Sequence, residues 1–74
     1  MTGNQIRPPL PVRLTPGQLA VMVALVRTGS VTEAAYACGI ARGTAQQHIK
    51  AVITKYDAAS TYQLIHILTK QGLI

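Results

Sequence analysis

Residues 30–48 read SVTEAAYACGIARGTAQQH, and their spacing is typical of two helices joined by a tight turn. The backbones of such a pair cross closely, which requires a small residue at the crossing, and Ala35 holds that place. Four positions later the turn requires a residue that tolerates positive φ, and Gly39 is there. Ile40 and Ala45 supply the apolar groups expected after the turn and early in the second helix. The stretch therefore predicts a helix-turn-helix.

Three hydroxyl residues predict where helices begin around this motif. In a capping box, a Ser or Thr accepts a hydrogen bond from the amide three residues on, and a Glu or Gln there accepts from the cap's own amide. The pattern occurs at Thr15–Gln18, Ser30–Glu33 and Ser60–Gln63, and glycines at 29, 39 and 72 mark helix ends. The predicted helices run from Pro16 to about Arg27, from Val31 to Cys38, from about Arg42 to Tyr56, and from Thr61 to Gln71. No segment alternates as a strand would, so the predicted fold class is all-α.

Helical periodicity predicts which faces are buried. On the first helix one apolar stripe is expected to face the core: Leu19, Met22, Val23 and Val26. On the third helix one arc of roughly 100° is apolar: Ala45, Ile49, Val52, Ile53 and Tyr56. The opposite side is polar and free of carboxylates: Gly43, Gln46, Gln47, Lys50 and Thr54. Such a face suits the major groove of DNA, where Gln can bind adenine bidentately and Lys can reach guanine or a phosphate.

Composition limits the possible functions. Seven Lys and Arg against two acidic residues give a net charge of +5, which favours a polyanionic partner, above all nucleic acid. Hydrophobic residues make up 49% and charged residues 12%, so some apolar side chains are expected at the surface, as in a dimer or a protein partner's site. With Glu33 and Asp57 as the only acids, the chain lacks paired carboxylates for acid–base catalysis, and we do not expect an enzyme.

The cysteine and histidines predict no metal site or cofactor. The spacings of Cys38, His48 and His66 match no zinc pattern, and Cys38 is expected to be a buried structural thiol. His48 is expected to serve in packing or beside a phosphate. A single cysteine fits a reducing cytoplasm. Since the chain has no run of about 18 apolar residues, we expect no membrane association.

From Leu14 to Ile74 the chain resembles the LuxR/GerE-type helix-turn-helix domain of bacterial transcription regulators. The matching positions are Leu14-Thr15-Pro16, Leu19, Arg27, Ser30, Glu33, Ala35, Gly39-Ile40, Thr44, His48, Lys55 and Gly72-Leu73-Ile74. The resemblance implies a four-helix domain over residues 14–74, with its third helix in the major groove and its fourth helix available for dimerisation. The chain departs from the family at Gln46, where a basic residue is usual, at Ala45, where a bulkier aliphatic is usual, and at Tyr56-Asp57, where Leu-Gly is common. Most family members carry a sensor domain, and we expect none here.

The expected DNA contacts lie on and around the third helix: Arg42, Thr44, Gln46, Gln47, Lys50 and Lys55. The resemblance implies that Gln46, Gln47 and Lys50 face bases and that Thr44 touches a phosphate. Arg42 is expected to contact a phosphate or guanine, the alternative being a solvated charge at a helix end. Lys55 is either a phosphate contact or without a role in binding. On the fourth helix, Leu64, Ile65 and Leu68 are needed by the core, which leaves Tyr62 and His66 as candidates for homodimerisation.

Residues 1–13 form a Pro-rich N-terminal arm, since three prolines between Arg7 and Arg13 favour extended polyproline II. The arm is disordered, or a minor-groove arm through Arg7 and Arg13, or a docking peptide, and the sequence leaves these open. For the whole chain we expect a sequence-specific DNA-binding regulator, dimeric on a two-fold site. The alternative is an adaptor or antagonist of the same fold that binds a larger regulator protein. A small phage or plasmid repressor of another helix-turn-helix family would share the same chemistry.

Overall fold

The computed structural model describes residues 13–74, and this part of the chain contains four α-helices and no strand. The helices are α1 (Pro16–Thr28), α2 (Val31–Cys38), α3 (Arg42–Tyr56) and α4 (Thr61–Lys70). The predicted all-α class and helix order are confirmed, and each bound agrees to within one residue. The proposed arm lies outside the described residues, apart from Arg13.

Hydroxyl caps begin three of the four described helices. At α1 both bonds of the capping box form, each at 3.1 Å, between Thr15 and Gln18. Ser30 accepts from the Glu33 amide at 3.3 Å, and Ser60 accepts from the Gln63 amide at 3.1 Å. The side chain of Gln63 accepts from the amide of Ala59, one residue before the cap. The predicted helix starts are therefore confirmed, while the complete reciprocal box is found at α1 alone among the described helices.

Left-handed residues end the first three helices. Gly29 and Gly39 have φ of 74° and 69°, as their predicted roles require. Asp57 ends α3 with φ of 52°, a conformation in which Asp is among the better-tolerated non-glycine residues. The turn is closed by hydrogen bonds from the Asp57 amide to the Thr54 carbonyl at 3.2 Å and from the Ala58 amide to the Ile53 carbonyl at 3.0 Å. Asp57 thus adopts at the end of α3 the left-handed conformation that glycine adopts at the ends of α1 and α2.

The core lies where α1 packs on α2 and α3, and α4 closes it against α3. Its largest fully buried side chains are Met22, Leu64, Leu68, Val21 and Val52. Three alanines in α2 and α3 are almost completely buried: Ala34, Ala35 and Ala45. Because an alanine side chain is a single methyl group, helices can approach closely at these positions. The small Ala45 therefore fits a tightly packed crossing.

The predicted core stripe of α1 is wrong for three of its four residues, since Val23, although partly buried, also lies outside the core. Leu19 is 39% exposed and Val26 is 47% exposed, while Met22 is completely buried. The core instead uses the face formed by Val21, Met22, Ala24 and Leu25. Periodicity failed here because α1 has apolar residues on every side, so no polar face marks its solvent side. The prediction of a buried Cys38 also needs correction, since this thiol is only partly buried.

Candidate nucleic-acid interface

α3 is divided into a buried face and an exposed face, as its periodicity predicts. Ala45, Ile49 and Val52 are buried in the core, with Ile53 and Tyr56 partly buried against it. Gln46, Gln47, Lys50, Thr54 and Gly43 are all exposed. The helix contains no acidic residue, and burial raises the pKa of the Tyr56 phenol, so this group also stays uncharged at neutral pH. The outer face is therefore rich in amides, positively charged and fixed by the packing behind it.

The N-terminus of α3 differs from those of the other three helices in its cap. Ala41 stands at the cap and makes no side-chain hydrogen bond to the first turn. Arg42, Gly43 and Thr44 are exposed there, and a Cβ built on Gly43 would meet no atom within 4 Å. The first amides of a helix lack intrahelical partners and carry the positive end of the helix dipole. This turn is thus sterically open to an anion, beside the exposed guanidinium of Arg42.

Gln46 and Lys50 lie on the same side of α3, one turn apart. Together they border an open groove of about 390 Å³ that also touches α2 and α4. Its lining is Val31, Gln46, Ile49, Lys50, Ile53 and Thr61. Gln47 is exposed on the neighbouring row of the helix. The structure therefore brings two of the three expected base contacts to one groove and leaves the third beside them.

Lys55 has a structural contact that the sequence analysis missed. Its ammonium donates to the Gln18 side-chain oxygen at 2.7 Å and to the Arg13 carbonyl at 2.8 Å. Gln18 is only 8% exposed, and the same oxygen accepts from the Thr15 amide. Lys55 thus ties the end of α3 to the start of α1. An ammonium has three donor hydrogens, so one remains for a phosphate.

His48 packs against the first turn of α1. A Cβ built on Gly17 would lie 3.3 Å from His48 Cε1, which is tighter than most real contacts, and 3.5 Å from Nε2, which is an ordinary contact. Glycine weakens a helix unless something requires it, so Gly17 so early in α1 was the available sign of a close neighbour. His48 is accordingly a packing residue, one of the two roles expected for it. Within residues 13–74 no three side chains of His, Cys, Asp or Glu come together as metal ligands would.

Tyr62 and His66, the expected dimerisation residues, are both exposed on α4. Tyr62 is 87% exposed and borders an open groove of about 470 Å³ between α4 and the end of α1. The lining is mostly apolar: Leu25, Val26, Gly29, Val31, Thr61, Tyr62 and Ile65. His66 lies one turn further along α4 and does not line this groove. The structure thus places Tyr62, but not His66, at an apolar surface that could be shared with another molecule.

Comparison of the chain with models of known protein families, with curated proteins and with solved structures found no match. In the part of the chain that the structure describes, no helix has both the length and the apolar character needed to cross a bilayer. The surfaces of α3, α4 and α1 therefore provide the clues to function.

Proposed function

We propose that residues 14–74 form a LuxR/GerE-like helix-turn-helix domain that binds double-stranded DNA sequence-specifically and regulates transcription. The observation that carries the proposal is the outer face of α3, where Gln46, Gln47 and Lys50 are exposed on an acid-free surface. Because the opposite face is locked in the core, these side chains project from a rigid element. A helix with such a face fits the width of the major groove.

Each polar group has a role in this proposal. Gln46 and Gln47 carry amides that can bind adenine through paired hydrogen bonds, and Lys50 can donate to guanine or a phosphate. Arg42 and Thr44 flank the uncapped first turn of α3, where a backbone phosphate would be held by amides and by the helix dipole. These phosphate contacts would set the position of the helix, and the amide side chains would supply the specificity.

Salt dependence of binding tests the proposal most directly. The full chain is titrated against a fluorescent random-sequence duplex at several salt concentrations, followed by site selection from a random pool. If Arg42, Lys50 and Lys55 each neutralise a phosphate, the slope of log affinity against log salt should be near −3, at about −0.9 per contact. An affinity that does not change with salt concentration, or a lack of binding at low salt, would reject the proposal of DNA binding.

The proposed DNA-bound form is a homodimer through α4, with half-sites about one helical turn apart. One recognition helix contacts only a few base pairs, so a two-fold site gives the specificity that a monomer lacks. Tyr62 and the groove beside it support this assignment. Tyr62→Glu with His66→Glu should lower affinity for a full site far more than for a half-site. Equal losses at both sites would place the dimer contact elsewhere.

The second candidate function is that of an adaptor or antagonist that binds a larger regulator protein. It is favoured by the exposure of Leu19 and Val26, which DNA binding by α3 does not use. The same salt titration separates the two, because an adaptor without DNA affinity fails it at every salt concentration. A cytoplasmic location, which the single cysteine favours, suits either function.

A further inference from the structure

α1 is apolar on all sides, but the described residues cover only part of it. Residues 19–26 form an unbroken apolar run, and the core takes Val21, Met22, Ala24 and Leu25 from it. Leu19, Val23 and Val26, here named the α1 stripe, lie on the outer side and are exposed or partly exposed. A helix that is apolar all round is normally buried all round. The stripe therefore indicates a missing packing partner.

Two residues of the α1 stripe, Leu19 and Val23, border an open groove beside α2. Leu19 and Val23 form one side of an open groove of about 650 Å³ between α1 and α2. The described residues that line it are Pro16, Leu19, Ala20, Val23, Ala24, Arg27, Thr28, Ala37 and Cys38. Its three alanines let another backbone approach closely, and Leu19 and Val23 lie one helical turn apart, as the contact residues of packed helices do. The 13 residues of α1 span about 20 Å, the length of nearly four helical turns.

We propose that this groove binds an amphipathic helix of a second protein whose apolar face is flanked by acidic residues. Among residues 13–74, Arg27 is the one charged residue that lines the groove, and none of these residues brings a carboxylate to it. A carboxylate on the partner would complement Arg27 locally and the net charge of +5 more generally. The inference does not depend on DNA binding, because the α1 stripe and the outer face of α3 share no residue.

A second copy of this chain fits the groove less well. A second copy offers only Glu33 and Asp57 as acids to place beside Arg27. Residues 1–12 are also a poor fit. They contain three prolines, which disfavour a helix, and no acidic residue to place beside Arg27.

Cys38 makes the groove directly measurable. It is the only cysteine of the chain and lines the groove, so the rate at which its thiol reacts with a disulfide reagent reports occupancy. The probe is a helical 14-residue peptide with Leu at heptad positions a and d and Glu at e and g. Its matched control carries Lys at e and g. We expect the Glu peptide at saturation to slow Cys38 modification about fivefold or more, and the Lys peptide to bind about tenfold more weakly.

Variants of the full chain locate the binding. Leu19→Gln with Val23→Gln should abolish protection of Cys38 by the Glu peptide, while Tyr62→Gln, outside this groove, should not change it. Circular dichroism checks that each variant is folded. If the double variant is not folded, Arg27→Gln alone should still narrow the difference in affinity between the Glu and Lys peptides.

Four results would overturn the proposal. The first is that the Glu peptide does not protect Cys38 even at millimolar concentration. The second is that the Glu and Lys peptides bind with equal affinity. The third is protection of Cys38 that grows with protein concentration alone, which would identify a second copy as the occupant. The fourth is faster Cys38 modification in a Leu10→Asp variant, which would identify residues 1–12. Because the readout contains no DNA, none of these results bears on the DNA-binding proposal.

Discussion

α1 and α3 pack against each other in one core, yet their outer faces differ in chemistry. α3 presents amides and an ammonium to solvent, whereas α1 presents the aliphatic side chains of its stripe. The core requires only one face of each helix, so the outer faces are free to differ. In so small a domain, polar groups fixed on one helix suit a nucleic acid, and apolar groups fixed on another suit a protein.

The largest expected effect concerns the two faces of α1. Met22→Ala removes a completely buried side chain and should lower the free energy of unfolding by about 2–5 kcal/mol. Leu19→Ala changes a side chain that is 39% exposed and should cost well under half as much. Urea denaturation of both variants gives the comparison. Equal losses would mean that Leu19 is packed as deeply as Met22 in the folded protein.

The next effect concerns the outer face of α3. Alanine at Gln46, Gln47 or Lys50 should each cost about 1–3 kcal/mol on a selected site and relax preference at a single base pair. Stability should change little, because all three side chains are exposed. Anisotropy titrations with the selected duplex and its point variants measure this. A folded triple variant that keeps full discrimination would show that another surface binds the bases.

Lys55 connects the end of α3 to the start of α1. Replacement of Lys50, also on α3, is the matched control for replacement of Lys55. Lys55→Ala removes the hydrogen bonds to Gln18 and Arg13 and should lower the unfolding free energy by about 1–2 kcal/mol. It should also weaken binding to all DNA sequences alike and make the slope of log affinity against log salt less steep by about 1. Lys50→Ala should leave stability nearly unchanged. Thermal melts of both variants test this, and an equally stable Lys55→Ala variant would show that the connection contributes nothing in solution.

The smallest expected effect concerns the caps. Ala41→Ser gives α3 the hydroxyl cap that α1 has in Thr15 and should raise the unfolding free energy by about 0.5–1 kcal/mol. Thr15→Ala should lower it by about 1 kcal/mol. A melting temperature that does not rise in the Ala41→Ser variant would mean that the first amides of α3 already have partners.

Sequence patterns predicted the helices well because caps and turns are local. Ser30, Gly39 and their counterparts act through hydrogen bonds over three to five residues, which a sequence displays directly. The faces of α3 were predictable too, since polar residues occupy one side of its helical wheel. The same method wrongly assigned Leu19, Val23 and Val26 of α1 to the core, because α1 has no polar side to mark the face that is exposed to solvent. Of the candidate site, the exposure of all eight residues named was anticipated, whereas the hydrogen bonds of Lys55 were not.

The chain alone thus specifies its four helices, the turn at Gly39 and the polar face of α3, because each depends on residues within a few positions of one another. Packing in three dimensions settles which side of α1 is buried, ties Lys55 to Gln18 and seats His48 on Gly17. These features join residues about 30 or more positions apart, or choose among equally apolar faces. Local propensity carries no information on such choices, and only the competition for one shared core resolves them.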